Sequence, residues 1–182
     1  MTDDELVARA RQGDAAAFGE LVGRHQSAVH RAALSAGTSP ADADDVAQEA
    51  FLLAYRRLKS FRGEASFKTW LLTIAWNQAV NHRRTKARWW RRTDDDAAWD
   101  RLAATDASPE ELAHGAAMRN DIRVAVKALP HKVRDAFLLA QSGDYTYDEI
   151  AAMLKTPSGT IKWRVSEARR LVRAELERRG YR

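Results

Sequence analysis

Residues 146–170 read TYDEIAAMLKTPSGTIKWRVSEARR, and this stretch decides what kind of fold the chain adopts. Thr146 with Glu149 three residues on is a capping pair that starts a helix. Ile150, Ala151 and Leu154 give that helix its inward side, and Lys155-Thr156-Pro157-Ser158-Gly159 is a tight connection. Pro157 then opens a long basic helix. Within it Ile161, Val165, Ala168 and Val172 fall at offsets of 4, 3 and 4, one narrow apolar stripe that packs on the preceding helices. A short helix, a tight turn and a long basic helix make a helix-turn-helix pattern. The outward face and its flanks carry Gly159, Lys162, Trp163, Arg164, Ser166, Glu167, Arg169 and Arg170. These are polar and cationic groups suited to phosphates and base edges. A helical hairpin with a solvated charged face fits the same pattern.

Working outward, almost every apolar stretch recurs with helical spacing, and none shows the alternation of a half-buried strand. The expected class is all-α. Further start signals are Thr2 with Glu5, Ser39 before Pro40, and Ser108-Pro109 with Glu111. They place helices near 3–11, 15–36, 40–59, 67–88, 109–127, 131–141, 147–154 and 158–178, four on each side of an acidic stretch with little periodic apolar content.

Charge sharpens that division. The 182 residues carry a net +5, but residues 1–92 hold 15 Lys and Arg against 10 Asp and Glu, residues 93–118 hold 1 against 7, and residues 119–182 hold 14 against 8. Two basic segments around a repelling connector read as two modules for a polyanion. The expected organisation is a domain over 1–92, an acidic linker over 93–108 and a second domain over 109–182.

Several chemistries are excluded at once. There is no cysteine, hence no disulfide, thiolate metal site or cysteine nucleophile. The five histidines, at 25, 30, 82, 114 and 131, form no ligand pair at four-residue spacing, and no glycine run builds a phosphate loop. No enzyme activity, cofactor or metal is expected. An acidic start and the lack of a long apolar run predict a cytoplasmic protein without membrane contact of its own.

The first module carries two informative faces. In the helix from Pro40, an apolar stripe of Val46, Ala50, Leu53, Ala54 and Leu58 leaves Asp44, Asp45, Gln48 and Glu49 as an acidic ridge. Such a ridge suits a basic helix of a partner protein; it also suits a solvated first turn whose carboxylates favour the helix dipole. After the loop Ser60 to Ala65 comes a helix in which Trp70, Leu71 and Ile74 share a face and belong to the core. Asn77, Asn81, Arg83 and Arg84 do not fit a core role. Six of the ten residues from Arg83 to Arg92 are Lys or Arg, with Trp89-Trp90 among them, a combination suited to phosphates and unstacked bases.

Ala43 to Phe51, Trp70 to Asn77, Tyr147 to Ala151 and Pro157 to Lys162 together resemble, in order, the extracytoplasmic-function (ECF) sigma factors of bacterial RNA polymerase. The resemblance implies a sigma region 2 domain, a linker and a region 4 domain. It implies that Asp44, Asp45, Gln48 and Glu49 dock on the clamp helices of the polymerase β′ subunit, and that Val133 to Leu139 lies in the surface for the β flap. It implies minus-10 contacts from Phe61, Arg62, Ser66, Phe67, Trp76, Asn77, Asn81, Arg83 and Arg84. The minus-35 contacts would come from Ser158, Gly159, Thr160, Lys162, Trp163, Arg164, Ser166 and Arg169. It further implies core RNA polymerase, promoter DNA and an anti-sigma factor as partners. Trp163 and Glu167 depart from the family, which commonly has a small and a basic residue there. A stand-alone helix-turn-helix regulator is the alternative; it needs neither the ridge nor the Asn-Arg helix.

Overall fold

Side-chain caps set where the helices begin. The computed structural model describes residues 1–89, 109–143 and 145–181, with side chains over 1–86, 117–143 and 145–181. The expected linker at 93–108, and the side chains of the Trp89-Trp90 pair, lie outside the described residues. Thr2 and Glu5 close a reciprocal capping box at α1 (Asp3–Arg11), and Asp14 accepts from the Ala17 amide at α2 (Ala15–Ser35). Ser39 caps α3 (Pro40–Arg57), and Thr146 with Glu149 repeats the capping box at α7 (Tyr147–Leu154). Each such cap satisfies amide groups that the first turn leaves without partners. The remaining helices are α4 (Phe67–Trp89), α5 (Pro109–Ala128), α6 (His131–Gln141) and α8 (Ser158–Arg178). No strand occurs among the described residues, as the spacing predicts. The one departure in outline is that α3 stops at Arg57 and a single 3-10 turn, Leu58–Ser60, follows.

The first four helices form one bundle, with α2, α3 and α4 packed on each other and α1 laid on α2. Leu6, Leu21, Val29, Val46, Leu71 and Leu72 are fully buried there. Burial of one such aliphatic side chain is worth about 1.5–3 kcal/mol, which is what holds helices together whose polar faces are charged. Between α2 and α3 the chain doubles back at Gly37, whose φ of +84° is left-handed and favours glycine.

In the second bundle α8 is the spine, packed on α5, α6 and α7. Ile161, Val165 and Ala168 are buried, the stripe read from the sequence. The far end of α8 is tied to α5 by Asp121, which accepts from Arg179 Nη1 at 2.5 Å and from the Tyr181 hydroxyl at 2.8 Å. Val133, Phe137, Leu138 and Leu139 of α6 are buried, so the apolar part of the expected β-flap surface is covered within the chain. The two bundles meet where α4 lies against α7.

Candidate nucleic-acid interface

The recognition helix is built from its turn. α7 ends in Lys155, a left-handed residue at φ 49°, and the Thr156 amide donates back to the Ala151 carbonyl at 2.9 Å. That arrangement satisfies the last carbonyls of α7 and redirects the chain. α8 then leaves with Gly159, Lys162, Trp163, Ser166 and Arg169 exposed and Ser158, Thr160 and Arg164 half-buried. Trp163 is 61% exposed, so its indole is free to meet a partner of the helix. Arg164 is steadied by the Thr156 hydroxyl at 3.4 Å. Glu167 is not a stray negative charge on a DNA-facing helix: Arg170 donates to both its oxygens at 2.8 and 2.7 Å and holds its carboxyl below the usual range. The acidic departure is therefore neutralised within the helix.

On the first bundle, the ridge is where the spacing puts it. Asp44, Asp45, Gln48 and Glu49 are all exposed, and Asp44, at 79%, stands 3.2 Å from His30 Nε2. The sequence reading missed what lies beside it. Phe18 and Val22 of α2 and Phe51, Leu52 and Tyr55 of α3 line a groove of about 870 Å³, rimmed by Asp44 and Gln48. Leu52 and Tyr55 are 51% and 45% exposed, and the Phe18 and Tyr55 rings meet edge to face at 4.9 Å. A signal was present: Gln48, Leu52 and Tyr55 fall at offsets of four and three, a second apolar-to-polar face outside the core stripe.

The loop before α4 is anchored by the aromatics expected to touch DNA, which corrects their role. Phe61 and Phe67 are buried, and Phe61, Phe67 and Trp70 form a three-ring cluster with centroids 5.1–6.0 Å apart. The Arg11 guanidinium covers Phe61 at 5.6 Å. What protrudes is Arg62 to Ser66, with Ser66 accepting from the Thr69 amide to start α4. Trp76 is a second correction: at 2% exposure it is core, while Trp70, expected in the core, packs against that core but is only partly buried. Neither the Trp76 indole nor the Phe61 and Phe67 rings offer a face to a base.

Along α4 itself Asn77, Asn81 and Arg84 are exposed on one side, where they line a cleft with Met153, Leu154 and Lys155 of the second bundle. Arg83 points elsewhere. Its Nη1 donates to the Ala36 carbonyl at 2.6 Å and its Nη2 lies 3.9 Å from Asp135, while burial, with Arg134 nearby, lowers its pKa from the ordinary arginine value. That guanidinium braces the bundle, a correction to its expected place on the DNA surface. Among the described residues no cluster of potential metal ligands occurs, and no helix is long and apolar enough to cross a membrane.

Known proteins share this layout. Residues 21–89 match Sigma-70 region 2, which spans most of the first bundle, and residues 119–172 match Sigma-70, region 4, which contains the helix-turn-helix. The chain is 36% identical over 178 residues to the ECF RNA polymerase sigma-E factor of Escherichia coli K12, covering 94% of this chain and 93% of that one. It is 32% identical over 185 residues to the sigma-E factor of Haemophilus influenzae, covering 97% and 96%. Among solved structures, CnrH in complex with the cytosolic domain of CnrY superposes with a TM-score of 0.65 at 29% identity, covering 96% of this chain and 97% of that one. The sigma factor RpoE of Bartonella quintana, in complex with the anti-sigma factor NepR, superposes with a TM-score of 0.58 at 25% identity, covering 88% and 96%. With both sigma regions present in order around a helix-turn-helix and near-complete alignment to sigma-E factors, the chain belongs to the ECF sigma factors, the alternative sigma factors that direct transcription initiation by bacterial RNA polymerase.

Proposed function

We propose a division of labour among three exposed surfaces. The ridge of Asp44, Asp45, Gln48 and Glu49, continued by the Leu52–Tyr55 groove, docks the β′ clamp helices of core polymerase. The loop Arg62 to Ser66 and the α4 face of Asn77, Asn81 and Arg84 engage the minus-10 element and hold its melted strand. Lys162, Trp163, Arg164, Ser166 and Arg169 read the minus-35 duplex. The domains are 1–92 and 109–182, with 93–108 as the linker that lets both elements be reached together. The observation that carries this reading is the segregation of charge: the acidic groups stand exposed on α3, whereas the open faces of α4 and α8 present amides, cations and one indole.

Binding energy does the work, and RNA synthesis belongs to the polymerase. Each base that leaves the stack and is held by the protein contributes on the order of 1–3 kcal/mol, so a few such bases offset the unpairing of a short AT-rich stretch. With Phe61 and Phe67 inward, a captured base rests against Arg62 and the loop backbone, where a guanidinium plane serves as the stacking partner. The solved relatives bound to NepR and to CnrY support an anti-sigma partner for this chain, and the groove with its acidic rim is a surface where such an inhibitor excludes polymerase. Cytoplasmic placement follows from the proposed partners.

The test is run-off transcription with purified core polymerase. Promoter-specific transcripts that require both chain and core are expected. A chain that shifts duplex operator DNA alone and adds nothing to core polymerase would replace this reading with that of a stand-alone regulator.

A further inference from the structure

The last described turns of α4 are gripped from behind. At about 100° per residue, Asn77, Asn81 and Arg84 lie within roughly 60° of one another, whereas His82 and Lys86 lie roughly 140–180° round from Asn77. Those two side chains meet the entry of α3. Lys86 Nζ donates to both oxygens of Asp42 at 2.8 and 2.6 Å, and the Ser39 hydroxyl donates to Asp42 Oδ2 at 2.5 Å. His82 Nε2 stands 3.2 Å from Asp42 Oδ1 but off the hydrogen-bond line, so Lys86 is the principal partner. The Asp42 side chain is only 15% exposed, against 79% for Asp44 one turn-face away. The same corner supplies a second hold, Arg83 Nη1 on the Ala36 carbonyl.

Resting on the reading of α4 as the minus-10 surface, we propose that Asp42 is a positioning residue for promoter opening: it fixes α4 in rotation so that Asn77, Asn81 and Arg84 stand together along the cleft they line, and it withholds Lys86 from DNA phosphates. A carboxylate that merely favours the start of α3 would act through the helix dipole from an exposed position, as Asp44 and Asp45 can. Asp42 keeps its local contact with the Ser39 hydroxyl and in addition presents both oxygens to Lys86, on a helix 44 residues further along the chain. Because a paired lysine contributes little to the displacement of counterions from DNA, the clamp sets the electrostatic footprint of α4 as well as its orientation.

The experiment uses the full chain as wild type, Asp42→Asn, and Asp42→Asn with Lys86→Gln. In the isolated protein, acylation of the Lys86 amine is followed by mass spectrometry. Labelling several-fold faster in Asp42→Asn is expected; equal labelling overturns the clamp itself. With core polymerase, the Asn variant should form holoenzyme like wild type yet open fewer promoters, read as permanganate reactivity of unpaired thymines. Its binding to non-promoter duplex should steepen with salt by about one in the slope of log K against log salt, the signature of one freed phosphate contact. Adding Lys86→Gln should return the slope to wild type while opening stays low. An unchanged slope, with opening lost only in proportion to folded protein, overturns the proposal and makes Asp42 a purely structural residue. Wild-type holoenzyme that opens no promoter at all overturns instead the reading of α4 on which the proposal rests.

Discussion

Acid should dismantle the α3–α4 clamp over a defined range. Burial alone would raise the Asp42 pKa, but the hydrogen bonds from Lys86 and then Ser39, with the charge of Lys86 and the nearby His82, outweigh it and bring the carboxyl from an ordinary 3.8 to about 2. A folded-state pKa below the unfolded one means that the ionised form favours the fold. The contribution is complete above the unfolded value and is lost as pH falls through the folded one. The difference between 3.8 and about 2 corresponds to roughly 2 kcal/mol at neutral pH, a large share of the stability of a small domain. Urea unfolding of wild type and Asp42→Asn, followed by tryptophan fluorescence at a series of pH values, measures it, since Trp76 is fully buried in the same bundle. The gap between the two proteins should be roughly 2 kcal/mol at pH 6 and should shrink from about pH 4 downward, closing only below about pH 2. Comparing the pair cancels the other carboxylates and the second bundle, which are common to both. A gap that stays constant across that range would refute the reasoning, because an uncharged packing defect does not titrate.

Three further outcomes follow from the exposed faces. Gln48→Ala with Glu49→Lys, and separately Leu52→Glu, should weaken binding to core polymerase in a pull-down or anisotropy titration while circular dichroism keeps its helical signal, since all three side chains are exposed and such surface changes cost within about 0.5 kcal/mol of stability. Arg164→Ala should reduce binding to minus-35 duplex by roughly 1–3 kcal/mol if the guanidinium reads a base, and should instead lower the salt slope if it meets only phosphate. Asn81→Ala should leave closed complexes intact and lower permanganate reactivity of the melted strand. The reason is that a group touching only melted DNA shifts the opening equilibrium and nothing before it.

Much of this protein is decided locally and so is legible in the sequence. Helix starts are governed by a side chain and an amide three residues away, which is why Thr2 with Glu5, Ser39 with Pro40 and Thr146 with Glu149 stand where helices begin. Amphipathic spacing likewise separates Ile161, Val165 and Ala168 from Lys162 and Trp163, and leaves the Asp44 to Glu49 ridge outside. Spacing tells which side of a helix is covered, not by what or how completely. Trp70 and Trp76 are both apolar and lie on the same helix; only the packing of its neighbours buries Trp76 and leaves Trp70 capping the Phe61–Phe67 pair. The groove exists because Phe18 of α2 comes to rest on Tyr55 of α3, a contact between residues 37 positions apart by number. Asp42 looks from the sequence like one more acidic residue of a first turn. Its partner Lys86 is brought to it by the crossing of α3 and α4, and hydrogen bonds and ion pairs between distant segments depend on where the burial of apolar faces docks the helices, which no local pattern encodes.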